Sequence, residues 1–168
     1  MKHPKTPIAI LILAFSLFSI APALAQTEKL GPIKFTSPRG FEKRELKDAV
    51  VFSRVDRWAG RFCYITLHAA GSSEGSAKKD FAKEWAETVV KPWGALTTPE
   101  TETELIKGWM LTSGEGEIYV TGNRAIAYLT VLTGYGKSIG LLGILNDNTC
   151  RNSIQSVAEG LDIEKAKT

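Results

Sequence analysis

The sequence predicts an α+β domain in which an antiparallel sheet of about six or seven strands carries helices packed on its faces. Two observations carry this prediction. The apolar residues follow a two-residue period in some ranges and a helical period in two others. These ranges also follow one another as strands, helix, strands, helix, an order typical of α+β folds. No repeat or internal linker interrupts residues 26–168, so we expect one domain there.

The first half of the chain is predicted to supply four strands after a polar lead-in at Gln26–Gly31. Ser37-Pro38-Arg39-Gly40 forms the first turn, because proline fixes one backbone dihedral and glycine permits a positive φ. The clearest two-residue alternation is in the fourth strand, Arg61–Ala69, and the side chains on both of its faces are largely apolar or aromatic. That strand is therefore expected in the middle of the sheet. The strands are Ile33–Thr36, Phe41–Leu46, Ala49–Val55 and Arg61–Ala69.

A helix is predicted from Ser76, as its N-cap, to about Val90. Apolar residues recur every four positions and form a stripe along one side. Pro92 is expected to end this helix, since proline lacks the N–H that a helix interior needs. The stripe consists of Ala77, Phe81, Trp85 and Val89.

A loop is predicted over Leu96–Thr103, followed by four strands that form an antiparallel meander. The breaks between these strands contain Gly and Asn, which are typical of hairpin turns. Glutamates alternate at Glu100, Glu102 and Glu104 and could bind a cation or a basic partner, although a solvated acidic loop is the simpler interpretation. The four strands are Ile106–Thr112, Glu117–Thr121, Arg124–Thr133 and Ser138–Asn146.

The last element is predicted to be an amphipathic helix. Asn146, Asp147 and Asn148 offer alternative N-caps, and Gly160 is the expected C-terminal stop. The apolar residues fall at offsets typical of one helix face. They are Cys150, Ile154, Val157, Ala158 and Leu161.

Residues 1–25 have the three-part pattern of a cleavable signal peptide. Lys2 and Lys5 precede the apolar stretch Ile8–Ile20, and Ala23 and Ala25 provide a small-residue cleavage site. A retained anchor is the alternative, but a membrane-spanning helix needs roughly 20 apolar residues. We therefore expect a periplasmic or secreted protein with no membrane span after cleavage.

The charge of the chain argues against a nucleic-acid binder. The formal net charge is +3, but the signal peptide holds two of the 21 basic residues and none of the 18 acidic ones. Cleavage therefore leaves a net charge of +1. No basic run is longer than Lys43-Arg44 or Lys78-Lys79, so a phosphate-tracking surface is not indicated.

The two cysteines, Cys63 and Cys150, are a candidate disulfide, because a lone pair outside the cytoplasm is often bridged. Two buried free thiols are the alternative, since cysteine is often buried without a partner. The sequence leaves both interpretations open.

No motif identifies a reaction. After cleavage His68 is the only histidine, which excludes a pair of imidazoles for catalysis or metal binding. We expect no metal and no cofactor, and a structural or half-exposed His68. The enzymatic alternative would use His68 with a nearby carboxylate such as Asp56.

Large aromatic side chains are the best candidates for a binding surface. Trp85 lies on the helical stripe and is predicted to be core. Trp58, Trp93 and Trp109 lie in or beside predicted connections, where a ring either caps the core or meets a partner. Together with His68 and Tyr135, which lies in the turn Gly134-Tyr135-Gly136-Lys137, they are the candidate partner-binding residues.

The segment Phe35-Thr36-Ser37-Pro38-Arg39-Gly40-Phe41, at the head of this order of elements, resembles the opening of PsbP-like and DcrB-like proteins. The resemblance extends from about Ile33 to Ile163. It implies an antiparallel sheet with helices on two faces, in a group of mainly accessory and binding proteins. It implies no catalytic residues.

Three functions are consistent with the sequence. The first is a non-catalytic accessory or binding protein of the periplasm or cell exterior, with an unidentified envelope partner. The second is a carrier of a small apolar ligand held between the sheet and the Phe81/Trp85 helix, which a cavity of at least roughly 300 Å³ would favour. The third, which the lack of motifs disfavours, is the small enzyme using His68.

Overall fold

The computed structural model describes residues 27–95 and 98–164, and the predicted signal peptide, residues 1–25, lies outside the described residues. The strands are β1 Thr27–Leu30, β2 Ile33–Thr36, β3 Glu42–Glu45, β4 Ala49–Asp56, β5 Arg61–His68, β6 Gly71–Ser72, β7 Thr101–Ile106, β8 Trp109–Val120, β9 Asn123–Gly134, β10 Lys137–Leu145 and β11 Asp162–Ile163. The helices are α1 Ala77–Trp85, α2 Lys91–Trp93 and α3 Thr149–Glu159.

The main sheet is antiparallel and contains eight strands in the order β3-β4-β5-β10-β9-β8-β7, with the short β6 also paired to β10. The α+β prediction is therefore confirmed. The expected place of β5 in the middle of the sheet is also confirmed, because β5 pairs with β4 on one side and β10 on the other.

A second, three-stranded sheet has the order β1-β2-β11. The predicted polar lead-in is wrong here, because Thr27–Leu30 pairs with Ile33–Thr36 in register. Gly31 has a φ of 58°, which permits the tight turn between the two strands. Leu30 packs against the core, so the small sheet is held by an apolar contact as well as by backbone pairing.

The main sheet separates two apolar cores. On one face α1, with α2 behind it, covers residues of β8, β9 and β10, and the largest side chains there are Phe81 and Trp85. On the other face α3 and the small sheet cover β4, β5 and β10, with Phe35, Phe52 and Ile154 among the buried residues. The domain therefore has three layers.

The four-stranded meander is present, but its first break lies elsewhere than predicted. The chain turns at Lys107 and Gly108, whereas Ser113 and Gly114 lie inside the continuous strand β8. Gly114 is needed there for packing, since a Cβ atom at that position would lie 2.9 Å from Phe81 Cζ. The segment predicted as an acidic loop up to Thr103 instead enters β7 at Thr101, and β7 pairs with β8.

The first helix passes the proline that was expected to end it. After Trp85 the chain forms a wider π-helical turn, Ala86–Val90, in which the Lys91 N–H donates to the Ala86 carbonyl five residues earlier. The wider turn accommodates Pro92, which would otherwise clash with the carbonyl four residues before it. The helix ends at Gly94, whose φ is 68°.

The final helix is confirmed, with its C-terminal stop at Gly160. Asp147 accepts hydrogen bonds from the Thr149 N–H and hydroxyl, so it holds the first turn. Among the described helices, none is long and apolar enough to cross a membrane.

Candidate functional site

A cleft of about 670 Å³ lies on the face of the main sheet opposite α1. Its floor comes from β7, β8 and β9, and its far wall comes from α3 and the segment that leads into β11. This volume falls within the range of small-molecule sites, which is roughly 300–1,000 Å³. The cleft is therefore the best candidate binding site among the described residues.

The floor of the cleft changes from apolar to polar along β8. Strand register places Trp109 beside Ile106, and the next row toward the polar end places Leu111 beside Glu104 and Leu132. Farther along, the Ser113 and Thr130 hydroxyls hydrogen-bond each other at 2.9 Å. A ligand with one apolar and one polar end would match this order.

The α3 wall repeats the mixture of apolar and polar groups. Ile154 and Ala158 face the floor, and Arg151 donates to Glu115 across the cleft with an Nη1–Oε2 distance of 2.6 Å. Gln155 donates to Glu159 on the same helix. These polar partners stand beside apolar residues of the same wall, so the cleft is amphipathic.

Acidic groups outnumber basic groups in the lining. The acidic side chains are Glu104, Glu159 and Asp162, and the basic ones are Lys107 and Arg151. The Arg151 charge is balanced by Glu115, and Asp162 lies 3.7 Å from Lys34 Nζ. The cleft is therefore weakly acidic overall.

Two of the predicted site residues meet at the apolar end of the cleft. Trp109 is 6% exposed and packs edge-to-face on Tyr135, with ring centroids 5.4 Å apart. Its indole also lies over Gly134, where a Cβ atom would be 2.9 Å from Trp109 Cε3. Trp109 thus closes one end of the cleft, while Tyr135 supports it from the adjoining turn.

The other two candidate tryptophans lie away from the cleft. Trp93 is half-buried and packs against the core under α1. Trp58 is fully exposed at the tip of the β4–β5 hairpin, so of the two expected roles its ring does not cap the core. The turn holds it there, because Asp56 accepts a hydrogen bond from the Ala59 N–H and Asn146 donates to the Gly60 carbonyl.

His68 lies on the α1 face, at the end of β5, and its carboxylate neighbour is Glu84 rather than Asp56. His68 Nδ1 is 3.2 Å from Glu84 Oε1, but the contact lacks the geometry of a hydrogen bond, and Oε1 is buried without a partner. Gly140, whose missing side chain leaves room for this carboxylate, lies beside it. Asp56 is engaged elsewhere, with Arg61 at 3.1 Å.

Burial acts on both members of this pair. It lowers the pKa of His68. It also raises the pKa of Glu84, with a smaller contribution from the negative charge of Glu87. Both shifts disfavour the charged form of the group concerned, which is the usual effect of desolvation.

Cys63 on β5 and Cys150 on α3 lie at disulfide distance, with their Cα atoms 5.8 Å apart. Both are buried. The pair joins α3 to the main sheet and so supports the helical wall of the cleft. For metal binding, the described part of the chain contains no group of three or more His, Cys, Asp or Glu side chains arranged as ligands.

Of the candidate residues named from the sequence, Trp109 and Glu104 line the cleft and Tyr135 supports Trp109 from beside it, while the other lining residues were not predicted. The lining comes from two separate stretches of the chain, β7–β9 and α3–β11. The one available signal was the apolar row of the last helix, since Ala158 and Leu161 continue the row past the buried Ile154. Three residues of that row, Ile154, Ala158 and Leu161, line the cleft as well as packing on the core.

Comparison with known proteins shows similarity in fold alone. Neither a protein-family model nor a curated protein sequence matches the chain. Eleven chains of solved structures match it. One is the solution structure of cyanobacterial PsbP (CyanoP) from Synechocystis sp. PCC 6803, with a TM-score of 0.55 and 16% identity. The match covers 88% of this chain and 98% of that one, so the expected resemblance to PsbP-like proteins is confirmed for the fold.

Another match is a crystal structure of a protein from Bacteroides thetaiotaomicron, with a TM-score of 0.55 and 12% identity. It covers 80% of this chain, which spans about half, 46%, of the length of the Bacteroides chain. The same architecture thus forms part of a longer polypeptide.

Proposed function

Given this PsbP-like fold, we propose that the protein is a non-catalytic binding or accessory protein of the periplasm or cell exterior, and that the cleft between β7–β9 and α3 is its binding site. The observation that carries the proposal is the cleft itself, whose lining combines apolar and polar side chains. The cysteine pair supports an oxidising compartment. The signal-peptide pattern of residues 1–25 supports export.

A ligand carrier of the kind expected between the sheet and the Phe81/Trp85 helix is less well supported. That helix packs closely, because Gly114 and Gly116 let Phe81 and Trp85 approach the strand. A Cβ atom at Gly116 would lie 3.0 Å from the Trp85 ring. The larger space lies on the opposite face, and the proposal places ligand binding there.

The first experiment measures binding of the uncharged apolar dye Nile red to the purified mature protein. We expect an increase in dye fluorescence that Ala158→Trp reduces at least about tenfold in affinity, because the new ring fills the cleft. Ala158 is half-buried in the α3 wall. Val55→Trp is the matched control, since Val55 is 49% exposed outside the cleft.

Equal dye binding by wild type and Ala158→Trp, with both proteins folded by circular dichroism, would contradict the proposal. The natural ligand is then sought by pull-down from the native envelope with wild type and Ala158→Trp side by side. A protein or small molecule retained by the wild type alone is the expected result. If both variants retain the same molecules, binding occurs outside the cleft.

A further inference from the structure

Strand β7 forms one edge of the main sheet, and it is unusually open. All six residues, Thr101–Ile106, are exposed, with Leu105 at 69% and Ile106 at 39%. Among the described strands, it pairs with β8 alone. Alternate backbone N–H and C=O groups on its outer side are therefore available for a further strand.

The opposite edge of the sheet is protected in a way that β7 is not. Strand β3 is only four residues long and carries Lys43 and Arg44 between two glutamates. Short length and basic side chains are common means of preventing strand addition. Strand β7 is longer, carries no basic residue and ends in two exposed apolar side chains.

The side chains of β7 alternate between the two faces of the sheet. Ile106 pairs with Trp109, Glu104 with Leu111 and Glu102 with Ser113. Trp109, Leu111 and Ser113 all line the cleft, so Glu102, Glu104 and Ile106 lie on the cleft face of the edge strand. A strand added to β7 would continue the cleft floor, with every second side chain on this face.

The charge of this edge defines the kind of strand that fits. Within the described ranges, neither Glu102 nor Glu104 forms an ion pair. Opposite charges on neighbouring strands attract, and like charges repel. The complementary strand therefore has lysine or arginine beside the two glutamates and an apolar residue beside Ile106.

We propose that β7 receives an extended basic segment of a partner polypeptide as an added strand. Alternate Lys or Arg side chains of that segment pair with Glu102 and Glu104. Its apolar side chain lies beside Ile106 over the Trp109 end of the cleft. Backbone pairing supplies affinity and the alternate side chains supply selectivity. This inference rests on the proposed binding function, because it names a partner whose added strand would extend the floor of the same cleft.

The experiment uses fluorescently labelled peptides in which lysine alternates with threonine and a leucine takes one terminal alternate position, made in both sequence orders. Fluorescence anisotropy in low salt is expected to show binding of at least one order. A matched peptide with glutamate in place of lysine is expected not to bind. Raising the salt concentration is expected to weaken the complex, since its charges are exposed.

Two kinds of variant separate charge from backbone pairing. The double substitution Glu102→Lys/Glu104→Lys is expected to weaken peptide binding about tenfold, while Glu42→Lys on the opposite edge changes nothing. N-methylation of alternate peptide amides is expected to abolish binding for one alternate set and to leave it intact for the other. Unchanged binding in the double variant, or of both N-methylated peptides, would overturn the proposal, as would binding of the glutamate peptide.

Failure of this inference is distinguishable from failure of the proposed function. If Nile red fills the cleft of the wild type but not of Ala158→Trp, and no lysine peptide binds, the cleft remains a binding site and the strand addition is wrong. If the lysine peptide binds through Glu102 and Glu104 while Ala158→Trp leaves dye binding unchanged, strand addition stands and the cleft function falls.

Discussion

The Glu84 side chain is partly buried, and its Oε1 atom lacks the hydrogen bond that usually accompanies a buried polar atom. It lies in the space above Gly140, with His68 Nδ1 3.2 Å from its Oε1 atom. Burial raises the pKa of Glu84 and lowers that of His68, so the protein favours the neutral form of both. The contact is therefore better described as a pair of desolvated groups than as a stabilising salt bridge.

We expect Glu84→Gln to stabilise the protein at neutral pH. A raised pKa means that the folded state binds the Glu84 proton more tightly than the unfolded state does. Protonation of Glu84 therefore stabilises the wild type below the ordinary carboxyl pKa, and this contribution is lost as pH rises through the raised pKa. Glutamine cannot ionise, so the variant should exceed the wild type by about 1 kcal/mol at neutral pH, with the difference shrinking toward about pH 4.

Urea unfolding of both proteins across this pH range measures the effect. The influence of His68 is opposite in sign, because its lowered pKa removes stability as pH falls below the ordinary imidazole value. Because His68 lies against the substituted group, the comparison at neutral pH is made above about pH 7, where the imidazole is uncharged in both states and adds nothing to the difference. Glu42→Gln, at an exposed position on β3, is the control, and an equal gain in that variant would show that the Glu84 effect is not due to burial.

At the scale of elements, α1 and β8 fit together through aromatic rings on the helix and glycines on the strand. Phe81 and Trp85 stack on each other, with ring centroids 6.0 Å apart, and lie over Gly114 and Gly116. Both glycines are in the interior of a strand, where glycine normally costs stability. Close approach of the helix is the reason that they are there.

Gly114→Ala is therefore expected to destabilise the protein by about 1–3 kcal/mol. The added Cβ would lie 2.9 Å from both Phe81 Cζ and Pro99 Cγ and 3.1 Å from the Glu100 carbonyl oxygen, so rigid groups must move. The usual benefit of replacing glycine, a smaller entropy loss on folding, is less than this cost. Thermal and urea unfolding give the measurement.

Gly71→Ala is the matched control, because its added Cβ would make only ordinary contacts, the nearest at 3.7 Å. Gly71 also lies in a strand and has no positive φ. A Gly114→Ala protein as stable as Gly71→Ala would show that α1 does not pack against β8 as closely as described.

The packing of α1 on β8 illustrates which elements could be predicted from the sequence and which could not. Strands with alternating apolar residues, such as β2, β4 and β5, were predicted to within a residue or so, because their pattern reflects burial on the sheet. Gly114 was misread as a turn signal, since its role depends on a helix elsewhere in the chain. Strand β7 has six exposed residues and no alternation of apolar with polar side chains, and pairing with β8 makes it a strand.

At the scale of the whole molecule, the cleft depends on the order of strands in the sheet. Trp109 belongs to β8 and Ile154 to α3. They line one cleft because α3 packs on the face of the sheet to which the Trp109 side chain points. Local pattern cannot supply that arrangement. It could identify individual candidates such as Trp109, but not the space that they enclose.

The whole-molecule prediction concerns the bridge between Cys63 and Cys150. We expect the mature protein, purified from its native compartment without reductant, to lack two hydrogens relative to the reduced chain and to take up alkyl groups only after reduction. The two residues are 87 positions apart, so in the chain-entropy account the bridge stabilises the fold by about 4–5 kcal/mol. Intact mass spectrometry and unfolding with and without reductant measure both effects.

Because Cys150 is in the first turn of α3, reduction should also loosen the helical wall of the cleft and weaken Nile red binding. A Cys63→Ala/Cys150→Ala protein controls for the reductant, since its stability and dye affinity should not change when reductant is added. The same spectrum gives the N-terminus, expected at Gln26. If the chain begins at Gln26 but both thiols are free, the disulfide prediction is wrong. Export would then be supported by the signal peptide alone.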